Sequence, residues 1–402
     1  MANHLPFKLT LLNSPIPLGK GGAIREGVKI SEGRYVAFID VDLPVDISFL
    51  KSALELVEGH DIVNGSRFKK GSKRTDPYLR LLLSRGYHWF FRLLFHLSFD
   101  TQCGFKVCKR NAAEHVFDHV ATDGFSFDTE FIIQAKKLGY EIKEIPITWL
   151  FDRNTPVKAI SLAWRMLWDL ITIKLRAMKP MHGDRRDKQQ ALAFYNKVPG
   201  DIRWRAAHTW FLPRRLWYKL KDRRLLKVIK RNPKPCRILD VGCGSGLLLK
   251  CLSDDGYTNL NGIDISTPAI NFTNQLLGRD VAHWADASNL PFPDEAFDIV
   301  VASEVIEHMN DLEGTLSEWK RVLTKDGKLI ITTPKAGFNW DLVEAIWMHL
   351  RRESLEFNHS PISEMRLKWS LIKKGFKIET FNTFLFGCEL FIEAVKNENS
   401  NI

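Results

Sequence analysis

Apolar residues recur at three- and four-residue spacing through Leu79, Leu82, Leu83, Tyr87, Phe90, Phe91, Leu94 and Phe95, and again through Trp164, Leu167, Trp168, Ile171 and Leu175. Each run predicts a helix. Shorter apolar runs at Tyr35–Ile39, Ile62–Asn64 and Ile142–Ile147 predict strands, the first too apolar for an exposed face. From about residue 236 the pattern alternates strand and helix: Ile238 to Val241 enters a glycine-dense turn, Leu247–Leu252 is helical, and a short strand closes on Asp264. Further strands open at Phe297 and within Leu323–Pro334. The chain therefore reads as α/β in three parts: a first domain over 1–178, a basic linker and helical preamble over 179–235, and a last domain over 236–402. The middle part is marked by Pro180, Gly183, Pro199, Gly200, Pro213, Pro233 and Pro235, with helical spacing from Phe194 to Lys230. No internal repeat is visible.

A length of 402 residues accommodates two or three domains, each able to bury its own core. The net charge of +11 divides unevenly, as +7 over residues 1–180, +12 over 181–240 and −8 over 241–402. The basic excess thus belongs to the middle segment. No recognised nucleic-acid-binding motif accompanies it, so nucleic acid is not the expected partner, whereas an anionic lipid surface suits basic, tryptophan-bearing sequence. The six cysteines form no Cys-x-x-Cys pair and have no histidine at zinc spacing, which fits reduced thiols in a cytoplasmic protein. No signal peptide is visible over Met1–Ser14. Arg92 and His96 interrupt the apolar stretch Trp89–Phe99, and Arg165 and Asp169 interrupt Ala159–Ile173. Neither reaches the roughly 18–20 uninterrupted apolar residues of a transmembrane helix. An interfacial helix at the membrane's inner face and a helix packed on the domain core both fit these two runs.

The strand-to-turn segment Ile238-Leu239-Asp240-Val241-Gly242-Cys243-Gly244-Ser245-Gly246 carries the main chemical signal. Three glycines allow a sharp turn and bring bare backbone against a ligand, and the following helix presents unpaired N–H groups. Asp264, 18 residues after Gly246, is placed to accept hydrogen bonds from a ribose. The glycines run Gly-x-Gly-x-Gly after an acid on the strand itself, rather than the wider Gly-x-Gly-x-x-Gly that fits a pyrophosphate.

Three further motifs follow in order: Trp284-Ala285-Asp286-Ala287 with Leu290-Pro291-Phe292-Pro293, then Ser303-Glu304-Val305-Ile306-Glu307-His308-Met309, then Leu323 to Pro334. In this order the chain resembles a class I S-adenosylmethionine-dependent methyltransferase. The resemblance implies a seven-stranded Rossmann-like domain. It also implies a cofactor-binding set of Asp240, Gly242, Cys243, Gly244, Gly246, Asp264, Ile265, Asp286, Ala287 and Glu304. Asp240 and the glycine turn would hold the amino-acid part, Asp264 the ribose hydroxyls, and Asp286 the adenine amino group, with no metal needed. His308 follows a strand at the edge where ligands bind in such folds, so it is the candidate base for a hydroxyl acceptor, with Glu307 orienting it or touching the acceptor. A structural role for His308 remains open. His359 is a second candidate, with helix capping as its alternative. The segment around His308 also resembles O-methyltransferases of ubiquinone biosynthesis, which points to an oxygen acceptor.

In the first part, Gly19-Lys20-Gly21-Gly22 precedes Tyr35-Val36-Ala37-Phe38-Ile39-Asp40-Val41-Asp42. Alternate residues of an extended segment point the same way, so Asp40 and Asp42 can offer oxygens to one Mg²⁺ or Mn²⁺. Arg67, Arg80 and Ser84 follow, then Asp100-Thr101-Gln102-Cys103-Gly104-Phe105-Lys106, then Phe127-Asp128-Thr129-Glu130 and Glu144-Ile145-Pro146-Ile147-Thr148-Trp149. Over residues 15–178 this order resembles the family 2, GT-A-fold glycosyltransferases that load sugars onto dolichyl or other polyprenyl phosphates. The resemblance implies metal and diphosphate at Asp40 and Asp42, donor phosphates near Lys20, and the acceptor phosphate at Arg67, Arg80 and Ser84. Ordinary surface roles for Lys20, Arg67 and Arg80 stay open.

Members of that family begin with a strand ending in Pro-x-Tyr-Asn-Glu, a helix and a second strand. Here 18 residues precede Gly19, and Phe7–Leu12 supplies only the next strand. The GT-A-like domain is therefore expected to lack the base and ribose pocket of its donor, through a shortened start, a separate completing chain, or conversion to a binding module. The expected whole is a methyltransferase joined to a polyprenyl-phosphate glycosyltransferase-like domain. Its small-molecule, sugar or lipid-linked acceptor and its oligomeric state are not legible in the sequence.

Overall fold

The computed structural model describes residues 8–43, 45–150, 159–178, 188–209, 212–351 and 361–397, with the side chains of residues 79–80, 159–163, 212–214 and 347–351 outside that description. The chain forms two compact units, Met1–Met178 and Lys179–Ile402.

The first unit carries β1 (Tyr35–Phe38), β2 (Ile62–Ser66), β3 (Lys73–Arg74), β4 (Lys106–Lys109), β5 (Ile142–Pro146) and β6 (Thr148–Trp149). Four of them form a mixed sheet in the order β1-β4-β2-β5, and β3 pairs with β6 alongside. Alternate residues of the central strand feed opposite layers: Ile62 joins Phe38, Phe117, Phe127 and Phe131, while Val63 joins Ala53, Val57 and Phe105. All of β2 is buried, and its polar Asn64 donates to the Asp100 carbonyl there. Edge strand β1 differs from expectation, since it buries Val36 and Phe38 but turns Ala37 outward. Lys8 to Leu12 form no strand, and Phe7 lies outside the described residues.

The second unit is built on β7 (Ile238–Val241), β8 (Leu260–Asp264), β9 (Ala282–Trp284), β10 (Phe297–Ser303), β11 (Leu323–Pro334), β12 (Phe376–Phe384) and β13 (Glu389–Lys396). They form one seven-stranded sheet in the order β12-β13-β11-β10-β7-β8-β9. The five strands from β7 to β11 run parallel, and β13 inserts antiparallel beside β11. Leu239, Val241, Val300 and Ala302 enter one core, and Ile238, Ile299 and Val301 enter the other. This is the seven-stranded architecture that the motifs imply. The carboxyl ends of β7, β8, β9 and β10 lie along one edge, where open parallel sheets bind their ligands.

Candidate active site

The turn after β7 is fixed by its glycines. Gly242 and Gly246 both have φ of 67°, and a Cβ would lie 2.3 Å from Val305 Cγ2 at Gly242 and 2.6 Å from Thr273 Cγ2 at Gly246. Val305 belongs to the segment after β10, so two of the sequence motifs pack on each other. Asp264 closes the turn from β8: one carboxylate oxygen accepts from the Gly244 N–H at 2.9 Å and the other from the Ser266 N–H at 2.8 Å. Burial raises the Asp264 pKa, opposed by those same backbone donors. Each oxygen retains lone-pair capacity for a further donor such as a hydroxyl.

Asp240 is buried near the end of β7, paired there by its backbone with neighbouring strands, while its carboxylate takes no side-chain hydrogen bond from a described residue. Burial pushes its pKa up to about 7; Arg203 opposes the rise, whereas Asp264 and Asp222 add to it. It lines a pocket with Gly242, Cys243, Ser245 and Ser303 from the sheet edge and Arg203, Tyr218, Lys221 and Asp222 from the preceding helices. Those helices, Ile202–Ala207 and Leu212–Ile229, bring two cations and a second acid to the acid on β7. Such mixed charge suits a ligand fragment that is itself zwitterionic.

The helical preamble is stitched to the same edge. The Ser245 hydroxyl donates to Gly200 O at 2.8 Å and accepts from the Arg203 and Trp204 N–H groups. The Ser266 hydroxyl donates to Tyr195 O, and the Thr267 N–H donates to the Asn196 side chain. Lys188 meets Asp286 at 2.6 Å, and the Asp286 pKa falls because hydrogen bonds from Lys188 and Ser288 outweigh its burial. Ile265 and buried Ala287 flank these two acids; the Ile265 carbonyl accepts from Trp284 Nε1, and that of Ala287 from Trp319 Nε1.

His308 ends a short 3₁₀ turn over Ile306–His308 and is half-buried, with Nδ1 3.4 Å from the Tyr195 hydroxyl. Glu307 turns into the core, where its carboxylate accepts from the Thr333 hydroxyl at 2.8 Å. Glu304 holds φ of 59°, accepts from Thr332 Oγ1 at 3.3 Å and sits 3.7 Å from Lys221 Nζ. Buried Glu389 completes this group, its pKa raised by burial and by neighbouring Glu304. His359 lies outside the described residues. Arg203, Lys221, Asp222 and Glu389 were not anticipated, because no motif marks them; the basic excess of the middle segment was the only trace of the first two.

In the first unit, β1 ends at Phe38 and Asp40 starts a turn closed by the Leu43 N–H to the Asp40 carbonyl at 3.0 Å. The extended Asp-x-Asp geometry expected there is absent. Asp40 meets Lys20 Nζ at 2.7 Å, while Asp42 is exposed. Lys20 also reaches Asp128 at 3.1 Å, and these two acids hold its pKa above the ordinary lysine value despite burial. Asp128 takes a second cation, buried Lys106, at 2.5 Å. A Cβ on Gly104 would lie 2.0 Å from Asp40 Oδ2, so that glycine admits the carboxylate. As placed, one lysine-paired carboxylate and one exposed carboxylate do not make a divalent-cation site. No cluster of three or more potential ligands occurs among the described residues.

Arg67 is likewise engaged. It forks onto Asp100 through Nε to Oδ2 at 2.9 Å and Nη2 to Oδ1 at 2.8 Å, and both side chains are buried. The guanidinium that the resemblance assigns to the acceptor phosphate is paired here with Asp100. Ser84 accepts from Arg74 at 3.4 Å, and the side chain of Arg80 lies outside the described ones.

Comparison with known proteins decides what the two units are. Residues 239–331 match the methyltransferase domain family model, and residues 1–117 match that of glycosyl transferase family 2. The chain joins a methyltransferase domain to a family 2 glycosyltransferase domain. The glycosyltransferase domain is 31% identical over 167 residues to a dolichyl-phosphate β-glucosyltransferase of Dictyostelium discoideum, covering 39% of this chain and 51% of that protein. It is 32% identical over 170 residues to the human dolichyl-phosphate β-glucosyltransferase, covering 39% and 52%. It is also 32% identical over 146 residues to glycosyltransferase AglD of Haloferax volcanii, covering 36% and 23%. The chain therefore spans about half or less of these relatives. Among solved structures, magnesium protoporphyrin IX methyltransferase from Synechocystis with bound SAH aligns with a TM-score of 0.43 and 19% identity, over 52% of this chain and 100% of that one.

Proposed function

We propose that the methyltransferase domain uses S-adenosylmethionine to methylate a hydroxyl of a sugar-containing or lipid-linked acceptor, and that the glycosyltransferase domain serves the same lipid-linked chemistry. The observation that carries the cofactor reading is Asp240, a buried acid whose carboxylate takes no side-chain hydrogen bond from a described residue, set beside the glycine turn. When bound, S-adenosylmethionine supplies an electrophilic methyl group on a sulfonium. Asp240 and Asp222 then receive an ammonium, Arg203 a carboxylate, Asp264 a pair of hydroxyls and Asp286 an amino group. His308 takes the acceptor's proton, with the Tyr195 hydroxyl orienting the ring. A quinone-type or other small-molecule hydroxyl satisfies the same chemistry.

Labelled methyl transfer tests the acceptor reading. Supplied with methyl-labelled S-adenosylmethionine and a lipid-linked sugar fraction or a catechol, the full chain is expected to deposit label that survives mild alkali, as an ether does. Alkali-labile label would identify a carboxyl acceptor and overturn the hydroxyl assignment.

The relatives named as dolichyl-phosphate β-glucosyltransferases motivate a polyprenyl phosphate acceptor for the first domain. The pairing of Lys20 with Asp40 and of Arg67 with Asp100 favours a second reading, a non-catalytic module that anchors the methyltransferase domain to a membrane or a partner. Titrating nucleoside-diphosphate sugars with Mn²⁺ into the full chain separates the two. Binding that requires Mn²⁺ supports transfer, and no binding supports the anchor.

Asp240 also sets a pH dependence. The folded carboxyl keeps its proton up to about pH 7, whereas the unfolded one releases it near its ordinary value of 3.8. Without ligand, stability is therefore lost as pH rises from about 4 to about 7. Asp240→Asn is expected to be more stable than the parent by about 4 kcal/mol at pH 8 and nearly equal to it at pH 4. Melting curves at the two pH values check this; a gap that does not change with pH contradicts it. The same variant is expected to lose cofactor affinity, as an amide cannot pair with an ammonium.

A further inference from the structure

Buried polar groups collect at the carboxyl edge of the second sheet, next to the pocket that holds Asp240. Glu304 directly follows β10, and Glu389 opens β13, whose antiparallel course pairs it with Pro334 at the end of β11. Both acids therefore lie where the parallel strands end. Lys221 reaches them from the helix Leu212–Ile229, with Nζ 3.7 Å from Glu304 and 5.2 Å from the centre of the Tyr218 ring. Lys221, Tyr218 and Ser303 also line the Asp240 pocket, so this group adjoins it.

The group does not satisfy itself. Glu389 is fully buried, and no donor reaches either of its carboxylate oxygens. Lys221 is 5% exposed, yet it makes no hydrogen bond to a described residue. Its charge is nonetheless retained, because Glu304 and Glu389 outweigh burial and raise its pKa above the ordinary lysine value. A closed structural pair looks different: Arg67 and Asp100 meet through two hydrogen bonds at 2.8 and 2.9 Å. Buried donors and acceptors left open in this way call for a partner other than a protein side chain.

The charges on both sides select that partner. A hydroxyl can donate to a carboxylate and accept from an ammonium at once. A cationic ligand would face Lys221 without an acceptor to offer it, and an anionic one would face two acids without a donor. The open capacity of Glu389 and Lys221 together exceeds what one hydroxyl can fill.

We infer that Lys221, Glu304 and Glu389 form the acceptor subsite of the methyltransferase domain and hold neighbouring hydroxyls of a sugar ring. The inference rests on the methyl-transfer reading and narrows its acceptor to a saccharide rather than a quinone-type hydroxyl. It also moves Glu304 from the cofactor set implied by the resemblance to the acceptor. The acceptor oxygen forms the new bond to carbon as the methyl–sulfur bond breaks, and its proton passes to His308. The products are a methyl ether and S-adenosylhomocysteine.

The test offers the full chain methyl-labelled S-adenosylmethionine with octyl glucoside, octyl mannoside, octyl galactoside, catechol or octanol. Label is expected in at least one octyl glycoside and in neither catechol nor octanol. Glu389→Gln should raise the KM for that glycoside about 10-fold, the loss of one hydrogen bond to a charged group, with parental S-adenosylmethionine affinity by calorimetry. Glu304→Gln, whose amide oxygen can still accept from Thr332 Oγ1, replaces it if Glu389→Gln fails to fold. Label in catechol or octanol, label in no glycoside, or a parental KM in the variant overturns the subsite. So does a variant that loses S-adenosylmethionine affinity, since the group would then serve the cofactor. Calorimetry on the parent separates the two readings: binding of S-adenosylmethionine without glycoside labelling sinks the subsite alone, and no binding sinks both.

Discussion

Asp264→Ala is expected to weaken S-adenosylmethionine binding by about 100-fold, measured by calorimetry on the full chain. Two charge-assisted hydrogen bonds to ribose hydroxyls contribute roughly 1.5 kcal/mol each, and about 3 kcal/mol corresponds to that factor. The substitution also releases the Gly244 and Ser266 N–H groups, which the carboxylate holds at 2.9 and 2.8 Å. The turn that must approach the ligand then loses its tether from β8. Asp264→Asn separates the two contributions. Its single carbonyl oxygen can still hold one N–H, but its amide nitrogen faces another donor, so it should rank between the parent and alanine. Binding equal to the parent in the alanine variant would remove Asp264 from the site.

The second large effect lies in the other unit. Arg67→Met leaves the Asp100 carboxylate buried without its fork, and breaking a buried pair in this way costs about 3–5 kcal/mol. The calorimetric transition of the first unit should move down accordingly, while that of the methyltransferase domain should stay in place. The guanidinium also lies 5.0 Å from the Trp149 ring, so part of the loss is stacking. Asp100 supplies a pH signature. Burial raises its pKa, but Arg67 outweighs burial and leaves it below the ordinary aspartate value. In the parent the pair therefore adds stability at neutral pH that disappears as pH falls through the folded pKa. In Arg67→Met only the residue 67 backbone N–H and Lys106 still oppose burial, so the stability lost on acidification should shrink. Adding Asp100→Leu should recover much of the loss, as replacing a whole buried pair by apolar groups commonly does. An unchanged first transition in Arg67→Met would show that the arginine is free to serve a ligand.

The sheet of the methyltransferase domain was legible because its strands are buried on both faces and punctuated by glycines and acids. Ile238–Val241, Leu260–Asp264 and Phe297–Ser303 all lie where the pattern placed them. The acids at the ends of those strands were legible for the same reason, since strand ends are fixed once the strands are. Arg203, Lys221 and Asp222 were not, because a helix that covers a pocket needs only the right face, and no spacing rule distinguishes a residue aimed at a ligand from one aimed at water. The Asp40-Val41-Asp42 segment misled for a local reason. Alternation of side chains holds only while the strand continues, and β1 stops two residues before Asp40. Trp164 and Trp168 were compatible with either an interfacial or a packed helix. Helical spacing fixes which residues share a face but not which face turns inward, and the hydrogen bond of Asp169 to Ser126 turns theirs outward. Arg67 shows a third limit: a basic residue in a phosphate-binding context carries no mark of whether an acid elsewhere in the fold already holds it.

Hydrogen exchange of the full chain, with and without S-adenosylmethionine, tests the central claim most directly, because it locates the ligand as well as detecting it. Protection is expected in peptides covering 238–247, 260–267 and 282–289 and in the preamble around 200–225, with none in 1–178. No protection anywhere, or protection confined to 1–178, would contradict a cofactor pocket formed by Asp240, the glycine turn and Arg203.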